Sequence, residues 1–186
     1  MIIRCTQKLL KELRIKPAEP EVISDVGSWH ANLLRIDRRK CVLFTHDMTL
    51  FSLFVAGLKR PDFEHIPTGH KFRLSRQAAQ LSYIDQLFGQ AMFRSQRLFD
   101  FEQTQIERML DWSQQNTYAK TNNRSVMGSM NDMAFHIEHH IAHEGGLAYA
   151  DLDRLLLRIN EIPFKAIGYE YPRVRLQTLL RTDGTA

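Results

Sequence analysis

The sequence predicts an α+β fold: a small antiparallel sheet, made of a meander near residues 29–55 plus an N-terminal strand, covered by several amphipathic helices. Two observations predict it. Trp29 to Ile36, Cys41 to Thr45 and Thr49 to Val55 are apolar runs of strand length. Short polar breaks at Asp37-Arg38-Arg39-Lys40 and His46-Asp47-Met48 separate them, a spacing that suits hairpins. Beyond these runs, apolar residues recur at helical intervals behind residues that cap helices.

Each element has its own local reason. Residues 1–5 read as a strand, and Thr6 caps a helix reaching about Arg14, with Leu9, Leu10 and Leu13 on its inner face. Pro17 and Pro20 end that helix. The last two runs of the meander are nearly continuously apolar (Val42, Leu43, Phe44; Leu50, Phe51, Leu53, Phe54, Val55), so both sheet faces need cover. Ser75 caps a helix carrying Ala78, Leu81, Ile84 and Phe88. Asp100 and Gln103 stand at capping-box spacing before Ile106, Met109 and Leu110, and Ser129 and Asp132 repeat the arrangement before a helix ending at Gly145-Gly146. Asp151 opens a further helix that must stop before Pro163. Tyr118 to Thr121 and Ile167 to Tyr171 read as extended. A single domain is expected over 1–186: β-rich over 1–57, helix-rich over 61–162, with a short C-terminal extended segment and tail over 163–186.

Composition narrows the class of protein. Of 186 residues, 44% are hydrophobic and 25% charged, which excludes a disordered or fibrous chain and leaves enough apolar surface to fold without a metal or disulfide staple. The formal charge of +4 is compatible with a phosphate-rich partner. Cys5 and Cys41 each sit in an apolar run, where a free thiol packs as a small hydrophobe. Met1-Ile2-Ile3 is followed at once by Arg4, and no apolar run has membrane-spanning length. The expectation is a cytoplasmic chain with no membrane partner and no cofactor.

Three segments are candidate sites. Arg38, Arg39 and Lys40 form a basic turn between two strands, suited to phosphate contact or to blunting a sheet edge. Lys59-Arg60 and Lys71, Arg73 and Arg76 add positive charge further on. The stretch from Lys120 to Asp132 places Asn122, Asn123, Arg124 and Ser125 before a helix, the ingredients of an anion site, although capping and turn formation account for several of the same residues. His136, His139, His140 and His143 share one helical face at spacings of three and four. That face is read as solvated, with metal binding or a pH-sensitive surface as the alternatives. No HExxH, G-x-S-x-G or P-loop pattern occurs.

Met1 to Leu10, Trp29 to Thr45 (WHANLLRIDRRKCVLFT) and Asn123 to Asp132 (NRSVMGSMND) together resemble a family of small uncharacterised bacterial proteins catalogued only as a domain of unknown function. The likeness covers about half the chain. It implies an α+β domain, attaches no activity or catalytic residue, and directs attention to Asn123–Asp132 and Arg38-Arg39. Three functions compete. The first is a binding module for nucleic acid or another phosphate-bearing partner. The second is an enzyme acting on an anionic substrate, with Arg124 near a base such as His30 or Asp132. The third is a protein-interaction or homodimerisation domain using Met127, Met130 and Met133.

Overall fold

A computed structural model describes residues 1–18, 26–58, 76–113 and 116–182. Five strands form one sheet: β1 (Ile2–Cys5), β2 (Trp29–Ile36), β3 (Arg39–His46), β4 (Ser52–Val55) and β5 (Thr117–Lys120), in the order β4-β3-β2-β1-β5. The β2–β3–β4 meander is antiparallel, as the hairpin spacing predicts. The N-terminal strand joins it differently. β1 runs parallel to both β2 and β5, so the sheet is mixed, with a parallel trio at one side. A connection holding a helix separates β1 from β2, which is what a parallel neighbour requires.

Among the described residues six helices complete the fold: α1 (Gln7–Leu13), α2 (Arg76–Leu98), α3 (Gln103–Ser113), α4 (Arg124–His143), α5 (Leu152–Ile159) and α6 (Pro172–Thr182). Thr6 caps α1 through its hydroxyl, and Asp151 caps α5 by accepting from the Asp153 and Arg154 N–H groups. Two starts differ from the sequence reading. α3 begins after Glu102, whose N–H donates to Gln105 Oε1, so the side chain that reaches back to the helix start is two residues beyond Gln103. α4 begins at Arg124, capped by Asn123, so Ser129 and Asp132 sit inside the helix and cap nothing. Its end falls where Gly145 and Gly146 predict, both at positive φ. The C-terminal segment is not extended: a 3₁₀ turn over Lys165–Ile167 leads into α6, which Pro172 opens. Ser75 and the side chains of 76–83 lie outside the described residues.

Residues paired across strands point to one face, so the register sorts the sheet. On one face Trp29 and Phe44 receive Phe88 of α2 edge-on, each at 5.1 Å between ring centroids. The other face carries a polar row, Arg4, His30, Thr45 and Ser52, in direct register across β1 to β4. At its β4 end the row is satisfied internally. Asn160 accepts from the Ser52 N–H at 2.7 Å and donates to the Ser52 carbonyl at 2.8 Å. Thr45 and Ser52 hydroxyls bond each other at 2.8 Å beneath Met133 of α4. Met130 and Met133 are fully buried and Met127 is partly so, hence the methionines form core rather than an assembly surface. No helix among the described residues is long and apolar enough to cross a membrane.

Candidate functional site

The other end of that polar row opens to solvent. Thr6 N–H donates to the Ala31 carbonyl and Thr121 N–H to that of Cys5, which brings Thr121 to the carboxyl end of β1. This is the edge of a parallel sheet where crevices for ligands form. A cavity of about 550 Å³ lies there, lined by Arg4, Lys120, Thr121 and Asn122, with Pro17 and Ala18 as a wall. The wall is held in place by the Ala18 N–H, which donates to the Tyr118 carbonyl. Asn123, next in sequence, accepts from the Ser125 and Val126 N–H groups and so fixes the amino end of α4 beside the cavity.

Behind Thr121 stands His30, fully buried. Its Nδ1 is 2.8 Å from Thr121 Oγ1, and its Nε2 faces Asp47 Oδ2 at 3.8 Å. The Asp47 carboxylate also accepts the Ser28 N–H at 2.9 Å. A carboxylate opposite Nε2 favours a proton on that nitrogen, which leaves Nδ1 to accept the Thr121 hydroxyl proton. Burial works to raise the Asp47 carboxyl, but His30, the Ser28 N–H and nearby His46 together hold it below its ordinary value. Gly27 is required here. It sits at φ +83°, and a Cβ would come within 2.5 Å of Asp47 Oδ1.

His46, the next buried imidazole, has a structural arrangement. Its Nε2 is 2.8 Å from the Val26 carbonyl and its Nδ1 3.0 Å from the Thr49 hydroxyl. Burial lowers its pKa against the opposing pull of Asp47 and the Val26 carbonyl. Burial also pushes the Cys5 thiol up to about 12 and raises Cys41, so neither is a reactive thiolate.

The sequence-predicted residues separate into three places. Asn122 lines the cavity and Asn123 fixes the helix beside it, whereas Arg124 and Ser125 are exposed and do not line it. Asp132 is exposed two turns along α4 and forms no part of the cavity. Arg38 and Arg39 project from the β2–β3 turn, where Asp37 and Arg38 both have positive φ; Lys40 pairs with Glu12. Asp37 accepts the Leu147 N–H, which ties this turn to the far end of α4. A 20-residue helix is about 30 Å long, so the basic turn and the Asn122–Ser125 segment sit at opposite ends of it. Lys59, Arg60, Lys71 and Arg73 lie outside the described residues.

His136, His139, His140 and His143 line a groove of about 390 Å³ with Arg158 and apolar residues of α5. The face is not uniformly solvated. His140 is buried, with Nε2 3.1 Å from Glu144 and Nδ1 3.5 Å from Arg158, while the other three are exposed. Among the described residues, no three His, Cys, Asp or Glu side chains group so as to hold a metal ion.

Arg4, Lys120 and Asp47 were not singled out as site residues from the sequence, and His30 only as a candidate base. The available signal was a charged or titratable residue at an inward position of an otherwise apolar strand: Arg4 within residues 1–5 and His30 within Trp29–Ile36.

Comparison with known proteins adds a family and no activity. A family model described as Domain of unknown function (DUF6933) matches residues 2–77 and 71–175. No curated protein and no solved structure matches the chain.

Proposed function

Because the chain belongs to this family of unknown function, we propose from the geometry alone that it is a binding domain for a small phosphate-bearing anion, seated at the carboxyl edge of β1 and β5. One observation carries the reading: Arg4 and Lys120 share a cavity of about 550 Å³ with the Thr121 hydroxyl and the Asn122 amide. Two cations supply charge, and the hydroxyl and amide supply directed hydrogen bonds to phosphate oxygens. The wall at Pro17 and Ala18 makes the site a pocket rather than a flat basic patch, which favours a small ligand. The basic turn at Arg38 and Arg39 stands about 30 Å away along α4 and takes no part in it.

Calorimetric titration with inorganic phosphate at low ionic strength tests the reading. Binding is expected for the wild type, and the Arg4→Met/Lys120→Met pair is expected to weaken it at least about tenfold, or about 1.4 kcal/mol. Equal affinity in the double variant would remove the cavity as the site. Single-stranded DNA or RNA that bound with a steep salt slope, unaffected by this pair, would instead favour the exposed basic turn and a polynucleotide partner.

A further inference from the structure

The layering behind the cavity carries a step beyond binding. Thr121 is half-buried at the cavity wall, His30 is fully buried behind it, and Asp47 lies behind His30. The bond of 2.8 Å joins Thr121 Oγ1 to His30 Nδ1, the nitrogen left bare when the Asp47 side of the ring holds the proton. His30 Nε2 has no hydrogen-bond partner among the described residues, and the Asp47 carboxylate faces it at 3.8 Å as its charged neighbour. A hydroxyl at a cavity wall, a base in contact with it and a carboxylate orienting that base are the parts of a nucleophile activated for attack on a carbonyl.

We propose that Thr121 is an acyl acceptor whose hydroxyl attacks the carbonyl carbon of a small acyl phosphate bound by Arg4 and Lys120. This rests on the anion-binding reading above, because the phosphate is both the recognised group and the leaving group. In the step, the Thr121 Oγ–carbon bond forms and its proton passes to His30 Nδ1. The bond between the carbonyl carbon and the phosphate oxygen breaks, and phosphate departs with the electron pair, stabilised by the two cations. Water then cleaves the threonine ester. One acyl phosphate and one water yield a carboxylate, inorganic phosphate and a proton. Thr121 and His30 are the catalytic residues, and Asp47 is a positioning residue that acts through His30.

Acetyl phosphate is the probe, followed by intact-protein mass, peptide mapping and phosphate release. The expected result is a single acetyl group on Thr121, or phosphate release that depends on it. Thr121→Val abolishes both and Thr121→Ser retains both; because position 121 is only half-buried, these variants keep the test valid even if His30 variants fail to fold. His30→Gln is expected to slow the reaction at least about 100-fold while phosphate affinity stays within about threefold. Asp47→Asn is expected to lower kcat with KM unchanged. A phosphoryl group on the protein, acetylation at another residue, or unchanged rates in Thr121→Val would overturn the acyl-acceptor role. If the wild type binds phosphate yet is neither acetylated nor releases phosphate in a Thr121-dependent way, this step alone falls. If it binds no phosphate, the pocket reading falls with it.

Discussion

The two sides of the sheet are built to opposite ends. Across β2, β3 and β4 both faces are sealed, by Phe88 on Trp29 and Phe44 below and by Met133 and Asn160 on Thr45 and Ser52 above. At β1 and β5 the same polar row that ends at Ser52 continues to His30 and Arg4 and reaches an open cavity. Polar groups inside a sheet must find partners, because an unpaired buried donor or acceptor costs about 1–3 kcal/mol. On the sealed side Asn160 and the hydroxyl pair provide those partners within the chain. On the open side Arg4 and Thr121 border the cavity of about 550 Å³. The difference teaches where to separate the two proposed roles: the antiparallel side is packed on both faces, and the parallel rim borders the cavity on which the proposed site rests.

The sharpest way to break that division is in the sealed side. Phe44 is fully buried and packs edge-on against Phe88. Phe44→Ala is expected to cost about 3–5 kcal/mol, from lost transfer energy and the cavity left behind. Against a typical total of about 5–15 kcal/mol, that places the variant near the edge of folding. Urea unfolding of variant and wild type measures it. A loss below about 1 kcal/mol would mean that the meander is not the principal core.

Acid probes the junction between the two sides, where β3 ends at His46 and Asp47 follows in the turn. The folded protein keeps His46 neutral by burial, so its pKa lies below the ordinary 6.5. Its contribution is complete above 6.5 and is lost as pH falls from there through the lowered folded value, since only the unfolded chain then takes up the proton. Asp47 is held below 3.8, so its contribution is complete above 3.8 and disappears as pH drops through its own lowered value. Stability is expected to decline in two stages on acidification. Asp47→Asn is expected to remove the second, lower stage, measured as the urea midpoint against pH. A variant whose acid profile overlays that of the wild type would show that Asp47 does not anchor the junction.

The sequence made the sealed side legible because its pattern is dense: Val42 to Phe44 and Leu50 to Val55 admit no solvent face, and the breaks between runs fix the hairpins. The open side was less legible for two physical reasons. β1 pairs in parallel with β2 and β5, and β5 lies more than 100 residues away in the chain; a four-residue strand such as Thr117–Lys120 carries no pattern that names its neighbour. The site then depends on that pairing, since Thr121 meets His30 only because Lys120 aligns with Cys5 and Arg4 with His30. The Asn123 cap illustrates a competition between equivalent signals. Ser129 and Asp132 satisfied the same capping rule as Asn123, and the helix took the earlier start because Val126 and Met130 belong to the same buried stripe as Met133 and Ile137. The histidine row drew attention by its density, yet the imidazole behind the cavity wall was a single His in a strand.

The smallest expected effect is the one that sharpens the comparison most. Lys120 is exposed and Arg4 only half-buried, both at the rim of the cavity. Their replacement by methionine keeps the aliphatic stem and its packing while removing the charge. The pair is therefore expected to change unfolding free energy by no more than about 0.5 kcal/mol, the range for surface positions outside a packed or hydrogen-bonded network. Urea unfolding beside the phosphate titration reads both quantities on one sample. If stability fell as far as in Phe44→Ala, Arg4 would be part of the structural row it adjoins, and its charge would serve the fold rather than a ligand. Unchanged stability with weakened phosphate binding is the combination expected of a residue whose interaction energy is realised only when the cavity is filled.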